Sequence, residues 1–236
     1  MSKEKNKQFR IVGIKQLLLS SLMLFVQIIV FFASAGYILG LRPWIYFGTA
    51  FVHYSVSIAV QWKLNPELLA QRLKRKREGS KLWDEILMRG SNLMVLIVIP
   101  AIAGLDIGRF YWSNIDVRFA AIGFFFVFAS TVLLNWAMMV NPHFEPTVRI
   151  QKDRDHKVIT SGPYKIVRHP GYLAGILFTL SIPLLIGSAF AFIPAGIYVL
   201  LMIMRTWFED ETLQKELNGY SEYVKQTMYR LFPGIW

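Results

Sequence analysis

Residues 169–204 read HPGYLAGILFTLSIPLLIGSAFAFIPAGIYVLLMIM, a run of 36 residues without Asp, Glu, Lys or Arg. A single straight helix of that length would measure about 54 Å, whereas the hydrocarbon core of a bilayer is about 30 Å thick. Gly187-Ser188 lies near the middle of the run, with Pro183 before it and Pro194 after it, and these residue types favour helix ends and turns. The run therefore predicts a tight hairpin of two membrane spans.

Four further charge-free runs precede this hairpin, at residues 16–41, 43–62, 90–105 and 119–144. The composition agrees with a membrane protein, because 54% of the residues are hydrophobic, 17% are charged and the mean hydropathy is +0.40. Soluble domains carry about 25% charged residues. We therefore predict an all-α integral membrane protein with about six transmembrane helices. The run 90–105 is short and contains Pro100, so five spans remain the alternative.

The basic residues are distributed unevenly between the predicted spans. The six predicted spans leave seven segments outside them, counting both termini. Of the 26 Lys and Arg residues, 23 lie in the first, third, fifth and seventh of these segments, and 3 lie in the other three. Basic residues are retained on the cytoplasmic side of membranes. Both termini and the segments 63–89 and 149–168 are therefore predicted to be cytosolic, and we expect a multi-pass protein whose active site faces the cytosol.

The net charge of +11 suggests an anionic partner. The long apolar runs leave little soluble surface for nucleic acid, so we expect anionic membrane lipids instead. A basic interfacial helix is predicted within residues 63–90, from an amphipathic stretch at 66–87 that contains the basic cluster 74–77. We divide the chain into a four-span region, residues 1–142, and a second module, residues 143–236.

Several kinds of chemistry are disfavoured by what the sequence lacks. There is no Cys, and the four His residues form no HExxH motif, so neither a metal site nor thiol chemistry is expected. No GxGxxG motif follows a predicted strand, which argues against a Rossmann domain. Within the charge-free runs only His53 titrates well inside a span; we interpret it as a hydrogen-bonded structural residue rather than part of an ion pathway.

Two cytosolic stretches, residues 141–172 and 205–236, flank the predicted hairpin. The first has the alternating pattern of an extended strand-and-turn segment and ends at His169-Pro170, where the next helix begins. In the second, Arg205 and Glu209 are four residues apart and share a helix face. Because a tight hairpin brings its two ends together, His169 and Tyr172 should meet Arg205 and Glu209 in a cleft open to lipid and to cytosol.

These residues lie in a pattern that resembles the isoprenylcysteine carboxyl methyltransferase family and related membrane phospholipid methyltransferases. The pattern is GPYKIVRHPGYLAG at 162–175, the hairpin, RTWFED at 205–210, GYSEYV at 219–224 and RLFPG at 230–234. It covers residues 143–236, which makes this part a methyltransferase module. The chain has Asp210 where the family often has a second Glu.

The resemblance implies that S-adenosylmethionine enters from the cytosol and a lipid or prenylated substrate enters from the bilayer. It implies that Arg205 orients the acceptor group and that Arg205 and Glu209 are the catalytic residues. The residues that it implies for cofactor binding are His156, Val158 and Ile159 at the adenosine, Tyr164, His169, Pro170 and Tyr172 at the methionine tail, and Glu209.

Other functions stay open at this stage. A carboxylate acceptor is ionised at neutral pH and needs a cation to hold it, whereas an amine, as in phospholipid N-methylation, would need His169 or Glu209 as a base. An NADPH-dependent lipid or sterol reductase would need cations for the 2′-phosphate, and the candidates are Arg149, Lys152, Arg154 and Lys157. A non-catalytic lipid-binding protein is the third possibility. The sequence does not specify the acceptor, the oligomeric state or the membrane.

Overall fold

The computed structural model describes residues 3–38, 40–74 and 78–236. Within these residues all regular structure is helical and no β-strand occurs, which confirms the all-α prediction. The α-helices are α1 (Lys3–Ala35), α2 (Leu41–Leu64), α3 (Pro66–Arg72), α4 (Leu82–Leu93), α5 (Ile99–Gly104), α6 (Ala120–Val140), α7 (Pro170–Ile186), α8 (Phe192–Glu216) and α9 (Tyr220–Gln226). The π-helical turns Met94–Val98 and Leu105–Phe110 continue α4 and α5 as far as residue 110.

Four helical segments in the described residues are long and apolar enough to cross a membrane: Gln8–Ala35, Leu82–Phe110, Val117–Val140 and Phe192–Glu216. The helix Pro170–Ile186 is apolar but has 17 residues, about 26 Å at 1.5 Å per residue. Helix α2 is long enough but interrupts its apolar character with buried polar residues such as His53 and Gln61. The count of six spans and the cytosolic position of both termini therefore stay predictions.

The predicted helical hairpin is confirmed, whereas the prediction that α7 spans the membrane stays a prediction. Pro170 occupies the first turn of α7, and Gly187 ends the helix in the left-handed conformation with φ +97°. This positive φ favours glycine, and a Cβ atom there would also displace the Arg42 side chain, whose Nη1 would lie 2.5 Å away. The guanidinium of Arg42 donates to the carbonyl oxygens of Leu184 and Leu185, where α7 leaves its last carbonyl groups without helical partners. This end of the hairpin is thereby fixed.

The hydrophobic core lies between these long helices. It includes Phe31 of α1, Tyr46 and Phe47 of α2, and Ile182 and Leu185 of α7, all buried. Gly123 permits close packing of α6 against α7, since a Cβ there would lie 2.9 Å from Leu185 Cγ. The core holds α7 firmly, and α7 carries two of the residues predicted for the site.

The single interfacial helix predicted within residues 63–90 is wrong. Helix α3 ends at Arg72 and α4 begins at Leu82, and Gly79 between them has φ +80°, which a continuous α-helix cannot include. Of the basic cluster 74–77, Lys74 is not helical, and residues 75–77 lie outside the described residues.

The extended strand-and-turn segment predicted within residues 141–172 is not helical around Val148, as expected, but it forms no β-strand there. Strands need a neighbouring strand, and the partners of Val148 are of another kind. Its carbonyl oxygen accepts from Lys81 N, and its N–H donates to the carboxylate of Asp84. The segment between α6 and α7 therefore follows the start of α4 and contains two short 3₁₀ helices, Lys152–Arg154 and Gly162–Lys165.

The C-terminal tail packs against the segment before α7. The N–H groups of Arg168 and His169 donate to the carbonyl oxygens of Tyr229 and Arg230. Leu231 is fully buried beside Ile176 and Met202. This packing closes one side of the region where α7 begins and α8 leaves the hairpin.

Candidate functional site

One cavity of about 440 Å³ extends from the segment before α7 into the space between the helices. At one end it is lined by the non-helical residues 143–149 and 156–159. At the other end it is lined by helix residues that include Gln27, His53 and Phe178. The cavity therefore connects the loop region with the interior of the helix bundle, and it has a size typical of small-molecule sites.

All residues that the sequence analysis selected line this cavity. They are His156, Val158, Ile159, Tyr164, His169, Pro170, Tyr172, Arg205 and Glu209. The expected meeting of the two hairpin ends is confirmed by direct contacts. The phenol of Tyr172 donates to the carboxylate of Glu209, the ring of His169 stacks on Tyr172 with centroids 5.6 Å apart, and the guanidinium of Arg205 lies 4.9 Å from the Tyr172 ring centroid.

Arg205 has an anionic partner that the sequence analysis missed. Its Nε donates to Asp84 Oδ1 at 2.6 Å and its Nη2 lies 3.3 Å from Asp84 Oδ2. Nη2 also donates to the carbonyl oxygen of Pro146, and Nη1 lies 3.0 Å from the sulfur of Met88. A thioether is a weak acceptor, so Nη1 is the nitrogen with the weakest partner. The edge of the guanidinium formed by Nε and Nη2 is therefore occupied by Asp84. Nη1 is the nitrogen that remains to bind the carboxylate of a methyl acceptor.

Asp210 is fully buried and joins the start of α7 to the C-terminal tail. Its carboxylate accepts two hydrogen bonds from Arg168, at 2.8 and 2.9 Å, and one each from Arg230 and Tyr220, at 2.9 Å. His169 Nε2 lies 3.3 Å from the same carboxylate. Arg168 also donates to two carbonyl oxygens of the tail. The sequence motif contained these residues, but nothing in their spacing indicated that they bond to one another.

His156 is neutral at physiological pH, because burial lowers its pKa to about 4. Its Nδ1 accepts from the backbone N–H of Gln151 at 3.3 Å, which makes Nε2 the protonated nitrogen. The neighbouring ring of His143 is 4.5 Å away between centroids. His156 therefore offers the cavity a neutral imidazole with one donor, which suits a heteroaromatic base better than a phosphate.

Tyr164 is fixed by hydrogen bonds to its hydroxyl group and to its backbone carbonyl oxygen. Its hydroxyl accepts from Asn141 Nδ2 at 2.8 Å, and its carbonyl oxygen accepts from the hydroxyl of Tyr223 at 2.7 Å. Burial raises the pKa of Tyr164, so the phenol is uncharged. With Val158 and Ile159 it belongs to an apolar cluster that also contains Leu213 and Leu217.

The basic loop residues considered for a 2′-phosphate are bound to carboxylates. Arg149 donates to Glu145 at 2.8 Å and to Asp153 at 2.7 Å, and these bonds raise its pKa. Arg154 lies 3.5 Å from Glu145. Lys157 lies 2.7 Å from Asp155. Three of the four candidate cations therefore have internal partners.

Residues 121–215 match the model of the isoprenylcysteine carboxyl methyltransferase (ICMT) family. This similarity to the ICMT family covers 95 of the 236 residues. It contains all nine predicted site residues, and the match confirms the resemblance seen in the sequence. No curated protein matches the chain.

The ICMT match and the four apolar helices support an integral membrane protein with methyltransferase activity. Asp84, Tyr220 and Arg230 lie outside the matched segment, although they bond to residues inside it. In the described residues no group of three or more His, Cys, Asp or Glu side chains is arranged to hold a metal ion.

The side chains with which the ICMT-like segment lines the cavity have a chemistry that fits S-adenosylmethionine. Val158 and Ile159 offer apolar contacts to an adenine ring, and His156 offers one hydrogen-bond donor. Glu209 lines the cavity, where it contacts Tyr172 near the start of α7. Its carboxylate would attract a positively charged group. The site therefore combines a surface for a flat base with an anion for a cation.

Proposed function

We propose that this protein is an S-adenosylmethionine-dependent methyltransferase that methylates a carboxylate on a lipid-attached acceptor at the cytosolic membrane interface. The observation that carries the proposal is one continuous cavity whose lining joins the loop residues 156–159 to side chains between the helices. In this proposal the water-soluble reactant enters from the loop end of the cavity and the lipid-soluble reactant from the end between the helices. In this proposal residues 143–236 are the catalytic module and residues 1–142 hold it in the bilayer.

When bound, S-adenosylmethionine supplies an electrophilic methyl group on a sulfonium. The residues assigned to hold it are His156, Val158, Ile159, Tyr164, His169, Pro170, Tyr172 and Glu209. Methyl transfer is a displacement in line, so the contribution of the protein is alignment and exclusion of water. The bond from Tyr172 to Glu209 fixes the carboxylate between the two helices, which supports this role.

Arg205 is assigned to the acceptor. A carboxylate is ionised at neutral pH, so it needs no general base and gains from a nearby cation. Arg205 Nη1 can donate to such a carboxylate without breaking the pair with Asp84. This arrangement supports an isoprenylcysteine-type acceptor, the substrate class named in the family description.

The alternatives are less well supported. An amine acceptor requires a base, and this proposal assigns both candidates, His169 and Glu209, to the cofactor. A reductase requires cations for the 2′-phosphate of NADPH, and Arg149, Arg154 and Lys157 are paired with carboxylates.

The test uses the full-length protein in lipid nanodiscs with S-adenosylmethionine labelled in the methyl group. N-acetyl-S-farnesylcysteine is the carboxylate acceptor, and phosphatidylethanolamine in a second set of nanodiscs is the amine acceptor. We expect label that mild alkali releases as volatile methanol, as it does from a methyl ester. Label that stays non-volatile after alkali, in the glycerophospho-N-methylethanolamine headgroup, would instead establish N-methylation.

A binding measurement separates the remaining alternatives. A ligand that binds only the folded protein raises the melting temperature. We expect S-adenosylhomocysteine to raise it and NADPH to leave it unchanged. A shift with NADPH alone would favour the reductase, and no shift with either compound would favour a non-catalytic lipid-binding protein.

A further inference from the structure

Asp84 is a buried carboxylate that the proposed reaction has not yet used. It lies in the first turn of α4, its exposed fraction is 0%, and it does not line the cavity. Oδ1 accepts from Arg205 Nε at 2.6 Å, and Oδ2 accepts from the backbone N–H of Val148 at 2.8 Å. One side chain therefore contacts both the proposed acceptor-binding residue and the loop that leads to the cofactor residues.

The guanidinium of Arg205 is fixed from several directions. Asp84 holds its Nε edge, the ring of Tyr172 covers one face, and the carbonyl oxygen of Pro146 accepts from Nη2. A planar group held in this way cannot rotate about its long side chain. Among the described residues, the acceptor of its remaining nitrogen, Nη1, is the weakly accepting sulfur of Met88.

Stability alone does not account for this ion pair. Burying a carboxylate and a guanidinium removes both from water, and apolar residues of similar volume often stabilise a protein as well or better. What the pair provides is orientation, because a forked hydrogen-bonding group matches a carboxylate in one geometry. The consequence is a guanidinium whose weakly bonded nitrogen, Nη1, keeps a constant direction.

We propose that Asp84 is a positioning residue of the methyl-transfer site, which directs Arg205 Nη1 at the acceptor and ties that direction to the loop at Val148. The inference rests on the proposed function, since it assigns Arg205 to the acceptor. Asp84 itself touches neither reactant. It acts through Arg205, and its removal should affect the acceptor more than the cofactor.

The test is Asp84→Asn, which keeps the size and one acceptor oxygen but removes the charge that aligns Arg205. In the nanodisc assay we expect kcat/KM for N-acetyl-S-farnesylcysteine to fall at least tenfold. The KM for S-adenosylmethionine and the melting shift with S-adenosylhomocysteine should stay within about twofold of wild type. A variant that merely loosened the fold would instead change both KM values together, and that result would overturn the inference.

Glu216→Gln is the matched control. Glu216 lies 2.7 Å from Lys81 and so joins the residue before α4 to α8, as Asp84 does, but it does not contact Arg205. We expect its kinetics to equal those of wild type. If Glu216→Gln lowers acceptor kcat/KM as much as Asp84→Asn does, the effect is general loosening of α4 and the inference is wrong.

A double variant covers the case in which Asp84→Asn does not fold. Asp84→Leu with Arg205→Met leaves no single buried charge, so it should remain folded and bind S-adenosylhomocysteine. Methyl transfer should be lost, and transfer at the wild-type rate would overturn the inference. Wild-type activity with unchanged Asp84→Asn kinetics would contradict the inference alone, whereas an inactive wild type would overturn the proposed function and this inference with it.

Discussion

The phenol of Tyr172 donates a hydrogen bond to the carboxylate of Glu209, and this bond joins α7 to α8 at the junction of the cavity. His169 Nδ1 lies 3.8 Å from the same carboxylate. Glu209 is therefore an anion held by neighbours on the other arm of the hairpin. Its position between loop residues and membrane helices is where a cationic cofactor and a lipid acceptor would meet.

We predict that Glu209→Gln weakens cofactor binding. The substitution keeps the shape of the side chain but removes the negative charge that would attract a sulfonium or ammonium group. The melting shift produced by S-adenosylhomocysteine, which retains the ammonium group, should fall to less than half, and the KM for S-adenosylmethionine should rise at least tenfold.

Glu211→Gln is the control for this prediction. Glu211 lies two residues further along α8, and its exposed carboxylate contacts Trp207 and Lys215 instead of the cavity residues. Its cofactor affinity should match that of wild type. Equal loss in the two variants would mean that the general charge of the helix, and not Glu209, attracts the cofactor.

Arg205→Lys is expected to be severe although it conserves charge. A lysine has no forked edge, so it cannot reproduce the two contacts with Asp84 together with the stacking on Tyr172. We expect kcat/KM for N-acetyl-S-farnesylcysteine to fall about 100-fold, equivalent to about 2.7 kcal/mol, while S-adenosylhomocysteine still raises the melting temperature. Wild-type turnover in this variant would remove Arg205 from the mechanism.

The sequence predicted contacts that local geometry determines. Arg205 and Glu209 share a face because they are one helical turn apart, and Tyr172 reaches them because a short turn joins α7 and α8. Asp84 is different, because it is 121 residues from Arg205 and its approach depends on how α4 packs against α8. The extended segment at Val148 forms no β-strand for the same reason, because its backbone bonds to Lys81 and Asp84 instead of to a second strand. Spacing along the chain carries no information about such packing.

The main effect of Asp210→Asn should be a loss of folding stability, with a smaller effect on kcat and KM. The buried carboxylate is shared by Arg168 and Arg230, and removing its charge leaves both guanidinium groups without their anion. Breaking a buried pair in this way costs about 3–5 kcal/mol. We expect a clear decrease in the melting temperature, which can be measured by tryptophan fluorescence of the protein in nanodiscs. Asp155→Asn is the control, because Asp155 pairs with Lys157 at an exposed site and should shift the melting temperature little.

The stability of the loop region should depend on pH through His156. Burial lowers the pKa of this side chain to about 4, from 6.5 in an unfolded chain. Between these two values the unfolded chain binds the proton more readily than the folded chain, so stability is lost as the pH falls from 6.5 towards 4. The melting temperature of the wild type should therefore decrease between pH 7 and pH 5. His156→Gln removes this titration and should flatten the decrease, but not abolish it, because burial also lowers the pKa of His143. An equally steep decrease in His156→Gln would show that His156 is as readily protonated in the folded protein as in the unfolded chain.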